Sequence, residues 1–481
     1  MLRSRLVLIA AGVLVSACAP APPPPDATLV TQWLRAQLVL VRAERINTPA
    51  ATRVSAYGGI AMYEGYVAGS KSLRSLGGQL NGLGPMPKVP VGGPVDGAIA
   101  AAAAERVVLG ELFKDGFATT KRAIDSIAEA QIVSRVKAGV GEAARRRSEE
   151  HGRAIGSTIA AWAAADSFAV TRGRPYEPPK GRQYWENTVS PDQFVSLGIS
   201  AQSDMVLTGN SAAAADAERA TERSTFVNRP KNSGKSATPA ANPGRPMEPY
   251  WGTFRTYAIP NASVCPLPRP PEYSEKAGSP FYEMAKVTWD TARALTEVQR
   301  KTALFWADNP ILTGTPAFHW FSVLSQVIPA RHLDAERAAE LVALTSISIA
   351  DVFITAWREK YTSMVVRPVT YIRRVWDPKF QTVVPTPPFP EYPSGHSTQS
   401  GAATYVITRF LGDTMTFVDS TQADIGQPPR TYHSFAAARD EVAISRLYGG
   451  IHYMPAIREG VTHGECVAKL ILERVRTRSG S

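Results

Sequence analysis

Residues 335–368 read AERAAELVALTSISIADVFITAWREKYTSMVVRP. From Ala335 to about Val366 there is no Gly or Pro, and apolar residues recur at helical spacing, which predicts one long helix stopped by Pro368. Lys360 and Arg367 lie near its end, seven residues apart, a spacing that on a helix puts both on one face. The same periodicity extends outward. It predicts helices over Thr398–Phe410, Ala436–Tyr448 and Ala456–Arg476 downstream, and over Phe281–Ala307 and Phe318–Ile328 upstream. Nearer the start it predicts Thr28–Ile46, Ala51–Ala68, Asp96–Phe113 and Ala118–Val136, with an Ala-rich continuation to about Ala165. Arg172–Tyr250 turns to Pro, Gly, Ser, Asn and Lys, with one helical piece near Ser211–Thr225. No strand ladder, Rossmann glycine pattern or internal repeat interrupts this. The expected fold is all-α, two packed helical bundles, with a region 28–250 followed by a helical domain 251–481 that carries the chemistry.

Three segments of that second half concentrate anion-binding chemistry. They are Lys360-x6-Arg367-Pro368, Pro393-Ser394-Gly395-His396 and Ser445-Arg446-x5-His452. Together they supply three cations, hydroxyl donors, a glycine N–H and two imidazoles, a set suited to a tetrahedral oxyanion. Gly395 and His396 follow a Pro-rich loop and open a helix, where backbone N–H groups and the helix dipole favour anions. Ser394 stands where its hydroxyl can cap the helix or donate to a ligand. Arg446 and His452 are six apart, so a regular helix would separate them; Gly449-Gly450 breaks the helix and can turn both inward. Each segment alone has a bland reading: a solvated helix face, a turn, a core histidine. Their joint occurrence in one order favours a built anion site. The other histidines (151, 319, 332, 433 and 463) lack such support and read as structural or surface.

At 481 residues, with 44% apolar residues, the chain can bury a sizeable core. Its net charge of +11 comes without a long Lys/Arg run interleaved with aromatics, so nucleic-acid binding is not indicated, while a positive field helps draw anions. The first residues, MLRSR, are basic, Leu6–Val15 is apolar, and Ser16-Ala17 precedes Cys18. That pattern reads as a secretory signal, residues 1–17, too short to span a membrane. A Pro-rich tether, 18–27, follows. Removal of the signal takes Arg3 and Arg5 with it and lowers the charge to +9. In an oxidising compartment Cys265 and Cys466 form either a disulfide or two buried thiols.

The three segments resemble the signature shared by vanadium-dependent haloperoxidases and type 2 phosphatidic acid phosphatases. Secondary features resemble the bacterial haloperoxidase branch. Trp357 and Phe389 stand where chloride-oxidising members place aromatics at the halide end of the pocket. FWAD, 305–308, resembles the family segment whose aspartate, here Asp308, pairs with the arginine at Arg446. The helix from Ala51 is similar to the N-terminal bundle of bacterial relatives. Membrane phosphatases carry several spanning helices, and no uninterrupted apolar run of that length follows the signal.

The resemblance implies a vanadium chloroperoxidase-like fold with the site in the C-terminal bundle and vanadate as cofactor, phosphate competing with it. It implies that His452 bonds the metal and that Lys360, Arg367, Arg446, Ser394 and the Gly395 N–H hold the oxygens. His396 would be the acid–base group taking a proton from hydrogen peroxide, and Lys360 would polarise the bound peroxide. Partners would be hydrogen peroxide, a halide and a small organic substrate. Cys18 and the residues before it resemble a bacterial lipoprotein signal, implying an envelope protein held to the membrane only by a lipid anchor. An acid phosphatase working through a phosphohistidine, and a non-catalytic envelope lipoprotein, are the alternative readings; oligomeric state is open.

Overall fold

A computed structural model describes residues 22–172, 174–188, 246–309 and 313–479 of the chain. The signal segment with Cys18 and the helical piece expected near Ser211–Thr225 lie outside the described residues. In the N-terminal bundle are α1 (Thr28–Ala43), α2 (Thr48–Gly69), α3 (Gly97–Leu112), α4 (Ala118–Lys137), α5 (Glu142–Ala164) and the short α6 (Phe168–Thr171). The C-terminal bundle holds α7 (Pro280–Arg293), α8 (Glu297–Phe305), α9 (Thr315–Ala330), α10 (Ala335–Ser363), α11 (Pro368–Val375), α12 (Gly395–Leu411), α13 (Phe435–Tyr448) and α14 (Met454–Arg474). Side-chain caps set many of the starts: Asn47, Asp96, Ser279, Asp334, Ser394 and Ser434 each accept an N–H from the first turn.

Helix α10 is the axis of the molecule. It packs on α2 of the first bundle and on α12 and α14 of the second, and its residues from Ala338 to Trp357 are all buried. Its length and apolarity suffice to cross a membrane, a property missed in the sequence, yet its most apolar window is wholly buried inside the protein. A helix apolar on every side needs neighbours on every side, and here protein supplies them. One apolar cluster runs through both bundles, from Ala27 to Val475. Helices α12 and α14 are pressed together at glycines: a Cβ on Gly401 would lie 2.4 Å from the Val461 oxygen, and one on Gly464 2.0 Å from the Thr398 oxygen. Only glycine permits that approach.

Several expected boundaries move. The helix carrying Lys360 ends at Ser363, because Met364 takes a left-handed conformation with φ of 50°. Pro368 begins a helix instead of stopping one, as suits a residue with no N–H to satisfy. Phe281–Ala307 is two helices, separated where Thr296 and Gln299 form a capping box. The Ala-rich continuation to Ala165 is a separate helix, α5. Two short strands, β1 (Phe417–Asp419) and β2 (Arg430–Tyr432), pair antiparallel where no ladder was expected. Cys265 and Cys466 are joined, tying the loop before α7 to α14.

Candidate active site

The three segments converge on one cleft, but not by the route the spacing predicted. Lys360 sits in the last turn of α10, while Arg367 is the N-cap residue of α11, on extended backbone (φ −73°, ψ 151°). They share no helix face. What brings them together is the loop 389–393, which both cations hold through backbone oxygens. Lys360 Nζ donates to Pro390 O and Glu391 O at 3.0 Å each and also to Pro393 O. Arg367 Nε donates to Phe389 O at 2.9 Å, and Nη1 to Ile451 O at 2.9 Å. Glu391 N–H in turn donates to Val365 O at 3.1 Å. The loop is thereby fixed immediately before Ser394 starts α12.

At that start the Ser394 hydroxyl accepts from Ser397 N–H at 3.3 Å and from the Ser397 hydroxyl at 2.9 Å. A Cβ built on Gly395 would meet only the Trp357 ring, at 3.8 Å, so the glycine faces open space. That space is a cleft bordered by Trp357, Phe389, Gly395, His396, Arg446 and His452. The Trp357 and Phe389 rings stand 5.0 Å apart in its wall. Thr48, at the start of α2, and Met247 also border it, so the N-terminal half helps close it. Lys360, Arg367 and Ser394 are fully buried just behind this wall.

After α13 the chain turns at Gly450, with φ of 72°, which swings His452 back toward Arg367. His452 Nδ1 donates to Glu391 Oε1 at 2.8 Å, an oxygen that also accepts the Tyr453 N–H at 2.9 Å. That contact leaves the Nε2 lone pair on the side of Arg367, whose Nη1 lies 3.1 Å away. Burial, then the charges of Arg367, Lys360 and Arg446, hold the His452 imidazole well below its ordinary pKa, hence neutral. Burial pushes Glu391 up to about 7 against the pull of Arg367. Lys360 is pushed well below its ordinary value by burial and then by Arg367, and burial brings Arg367 and Arg446 down to about 10.

His396 Nε2 lies 3.5 Å from Arg446 Nη1 and 3.7 Å from Asp308 Oδ2. Burial, followed by the Arg446 charge, lowers its pKa to about 4 although Asp308 opposes the shift, so at neutral pH it is neutral and keeps a lone pair for a proton donor. The expected pairing of Asp308 with Arg446 is not a direct one. Arg446 Nη2 donates to Trp306 O at 2.5 Å and to Ala303 O at 3.4 Å, so this segment meets Arg446 through its backbone. The Asp308 carboxylate engages His319 Nδ1 at 2.7 Å and Gln422 Nε2 at 2.8 Å instead.

Two participants escaped the sequence reading. Glu391 lies in the Pro-rich loop before Ser394, without a partner that spacing could reveal. His319 was set aside as structural, though it is buried between Asp308 and Asp419, its two ring nitrogens 2.7 and 2.8 Å from their oxygens. A histidine three residues past the Pro316 of a helix start carries no signature of its own.

The donor set fits a vanadate-like oxyanion. Arg367 Nη2 is buried without a hydrogen-bond partner, a costly state that an anion oxygen in the site would relieve. Gly395 leaves room that any side chain would fill. His452 Nε2 offers a lone pair. Among the described residues no three or more His, Cys, Asp or Glu side chains group as ligands for a bare cation, whereas one imidazole among cations and N–H donors suits a metal that arrives with its own oxygens.

Residues 340–480 match the family model of the VCPO second helical-bundle domain. A stretch of 149 residues is 30% identical to vanadium chloroperoxidase of Curvularia inaequalis, covering 25% of this chain and 24% of that protein. The chain thus matches about a quarter of that relative's length. Among solved structures it is similar to the first bacterial vanadium-dependent iodoperoxidase, with a TM-score of 0.77 and 28% identity over 96% of this chain and 99% of that one. A holo-type bacterial vanadium-dependent chloroperoxidase shares the fold at a TM-score of 0.62 and 14% identity, over 94% and 92% of the two chains.

Proposed function

We propose that the chain, whose residues 340–480 match the VCPO second helical-bundle model and whose fold is similar to that of a bacterial vanadium-dependent iodoperoxidase, oxidises a halide with hydrogen peroxide, using vanadate held in the α10–α14 cleft. The observation that carries this reading is that one basic pocket holds both a lone-pair nitrogen, His452 Nε2, and, on the arginine beside it, a buried donor without a partner, Arg367 Nη2. Bound there, vanadate supplies a Lewis acid that activates peroxide without changing its own oxidation state.

The protein's part follows from the geometry. His452, aligned by Glu391, would hold the metal. Arg367, Arg446, Ser394 and the Gly395 N–H would hold its oxygens, while Lys360, its three N–H groups on backbone oxygens, would add charge from behind; the three cationic side chains are preorganised because backbone oxygens already hold them. His396, neutral beside the cleft, would take the proton from incoming peroxide and later return it. Trp357 and Phe389 would give the halide end an apolar wall. We also infer an envelope lipoprotein from the sequence around Cys18, to be checked by palmitate labelling lost in Cys18→Ala.

The test is orthovanadate titration of phosphate-free protein, followed by peroxide-dependent oxidation of iodide, then bromide and chloride, on the same sample. Iodide comes first because the structural relative at 28% identity is an iodoperoxidase. Stoichiometric binding with halide oxidation supports the proposal. Tight binding without it, together with phosphate-ester hydrolysis abolished in His452→Ala, would replace it with a phosphatase.

A further inference from the structure

Behind His396 lies a buried relay that the proposed reaction has not yet used. Asp419, at the end of β1, contacts His319 Nε2 at 2.8 Å. His319 Nδ1 contacts Asp308 Oδ1 at 2.7 Å. All three side chains are at most 1% exposed. Two carboxylates at hydrogen-bond distance from both ring nitrogens require an N–H at each, so His319 is an imidazolium. Burial opposes that charge, but Asp308 and Asp419 overcome it and raise the pKa to about 10. The Trp306 ring stacks on the imidazolium at 4.2 Å and completes the clamp.

The arrangement occupies one oxygen of Asp308 completely. Oδ1 accepts from both His319 and Gln422 Nε2. Oδ2 is buried without a hydrogen bond and lies 3.7 Å from His396 Nε2. That same nitrogen is 3.5 Å from Arg446 Nη1. A neutral imidazole can answer only one of them there: as Nε2–H it donates to the carboxylate, and as a lone pair it accepts from the guanidinium. The carboxylate is the better claimant, because its buried second oxygen carries charge and has no other donor, while Arg446, held through Nε by Ser445 and through Nη2 by Trp306 and Ala303, keeps Nη1 for an anion oxygen.

We propose that His319, clamped by Asp419, is a positioning residue that turns Asp308 toward His396 and so selects the His396 tautomer with the proton on Nε2 and the free lone pair on Nδ1. The relay thereby decides which nitrogen is available as the base. It needs the hairpin β1–β2, since Asp419 reaches His319 only from that strand. The inference rests on His396 being the acid–base group, but its central readout needs neither vanadate nor halide.

The experiment is nitrogen-15 NMR of histidine-labelled, anion-free protein at pH 7, in which the two neutral tautomers give distinct ring-nitrogen signals. In the wild type His396 is expected as the Nε2–H form. In His319→Gln, which keeps one amide donor to Asp308 but loses the charge and the Asp419 contact, the His396 signals are expected to move toward the opposite tautomer while those of His452 stay. Orthovanadate affinity should remain within about threefold, and turnover should fall by about 10–100-fold at little-changed KM for peroxide, the usual effect of removing a hydrogen-bonded support. On a His396→Ala background the same change should cost nothing further. Unmoved His396 signals in folded His319→Gln, or a wild type already protonated on Nδ1, would overturn the proposal. If His319→Gln does not fold, Asp419→Asn, which alters only the outer contact, carries the same measurement with the same two outcomes. Should the wild type bind vanadate yet oxidise no halide, the tautomer shift still decides this inference separately from the proposed function.

Discussion

Arg367→Lys is the sharpest probe of the oxyanion site because it keeps a charge and removes a geometry. The guanidinium holds Phe389 O through Nε and Ile451 O through Nη1, each at 2.9 Å, and meets His452 Nε2 at 3.1 Å. Its Nη2 alone is buried without a partner and is therefore the donor left for an anion oxygen. A lysine ammonium is a single point at the end of a flexible stem and cannot serve these separated acceptors together. A hydrogen bond to a charged partner contributes about 1.5–3 kcal/mol, and about 1.4 kcal/mol is tenfold in affinity, so orthovanadate should bind roughly 10–100-fold more weakly. At least one of the two backbone carbonyls also loses its donor, at about 1–3 kcal/mol of folding stability. Calorimetric titration of phosphate-free protein with orthovanadate, beside a denaturant melt, reads both effects. Phosphate should compete and show the same loss. If folded Arg367→Lys binds orthovanadate within threefold of the wild type, Nη2 is not an anion donor and the site has been placed wrongly.

Other expectations follow from the same cleft. His396→Ala should lower halide turnover by about 10²–10⁴-fold, the usual contribution of a general acid–base, with orthovanadate affinity changed only a few-fold in the same titration. In anion-free protein His396 should take up its proton only as pH falls through about 4, since burial and Arg446 depress its pKa; NMR titration checks this, and a midpoint at the ordinary 6.5 would contradict it. Binding phosphate should move that midpoint upward, because a nearby anion favours the imidazolium. Reduction of Cys265–Cys466, which closes a separation of 201 residues, should cost about 2–5 kcal/mol, read as a lower denaturant midpoint with reductant present.

Much of the helical architecture was legible because a buried helix announces itself by period. Gly449-Gly450 between Arg446 and His452 announced the inward turn, and Gly450 makes it with a positive φ. Ser394-Gly395-His396 was readable as a capped helix start, which it is. The Lys360–Arg367 spacing misled, since Met364 leaves the helix through a left-handed turn that methionine does not advertise. The hairpin β1–β2 was missed because its strands are three residues each, too short to show alternation.

The sequence by itself determined which groups are present: the cations, the hydroxyl, the glycine and the two imidazoles, in an order whose chemistry points to an oxyanion. Only the tertiary structure decided what each group faces. Glu391 behind His452, Asp308 turned to His319 and His396, and Asp419 reaching in from a hairpin are contacts 61, 11, 88 and 100 residues apart along the chain. Period and local spacing encode a residue's own helix face, whereas the partner of a buried charge is set by which distant segment the core packs against it.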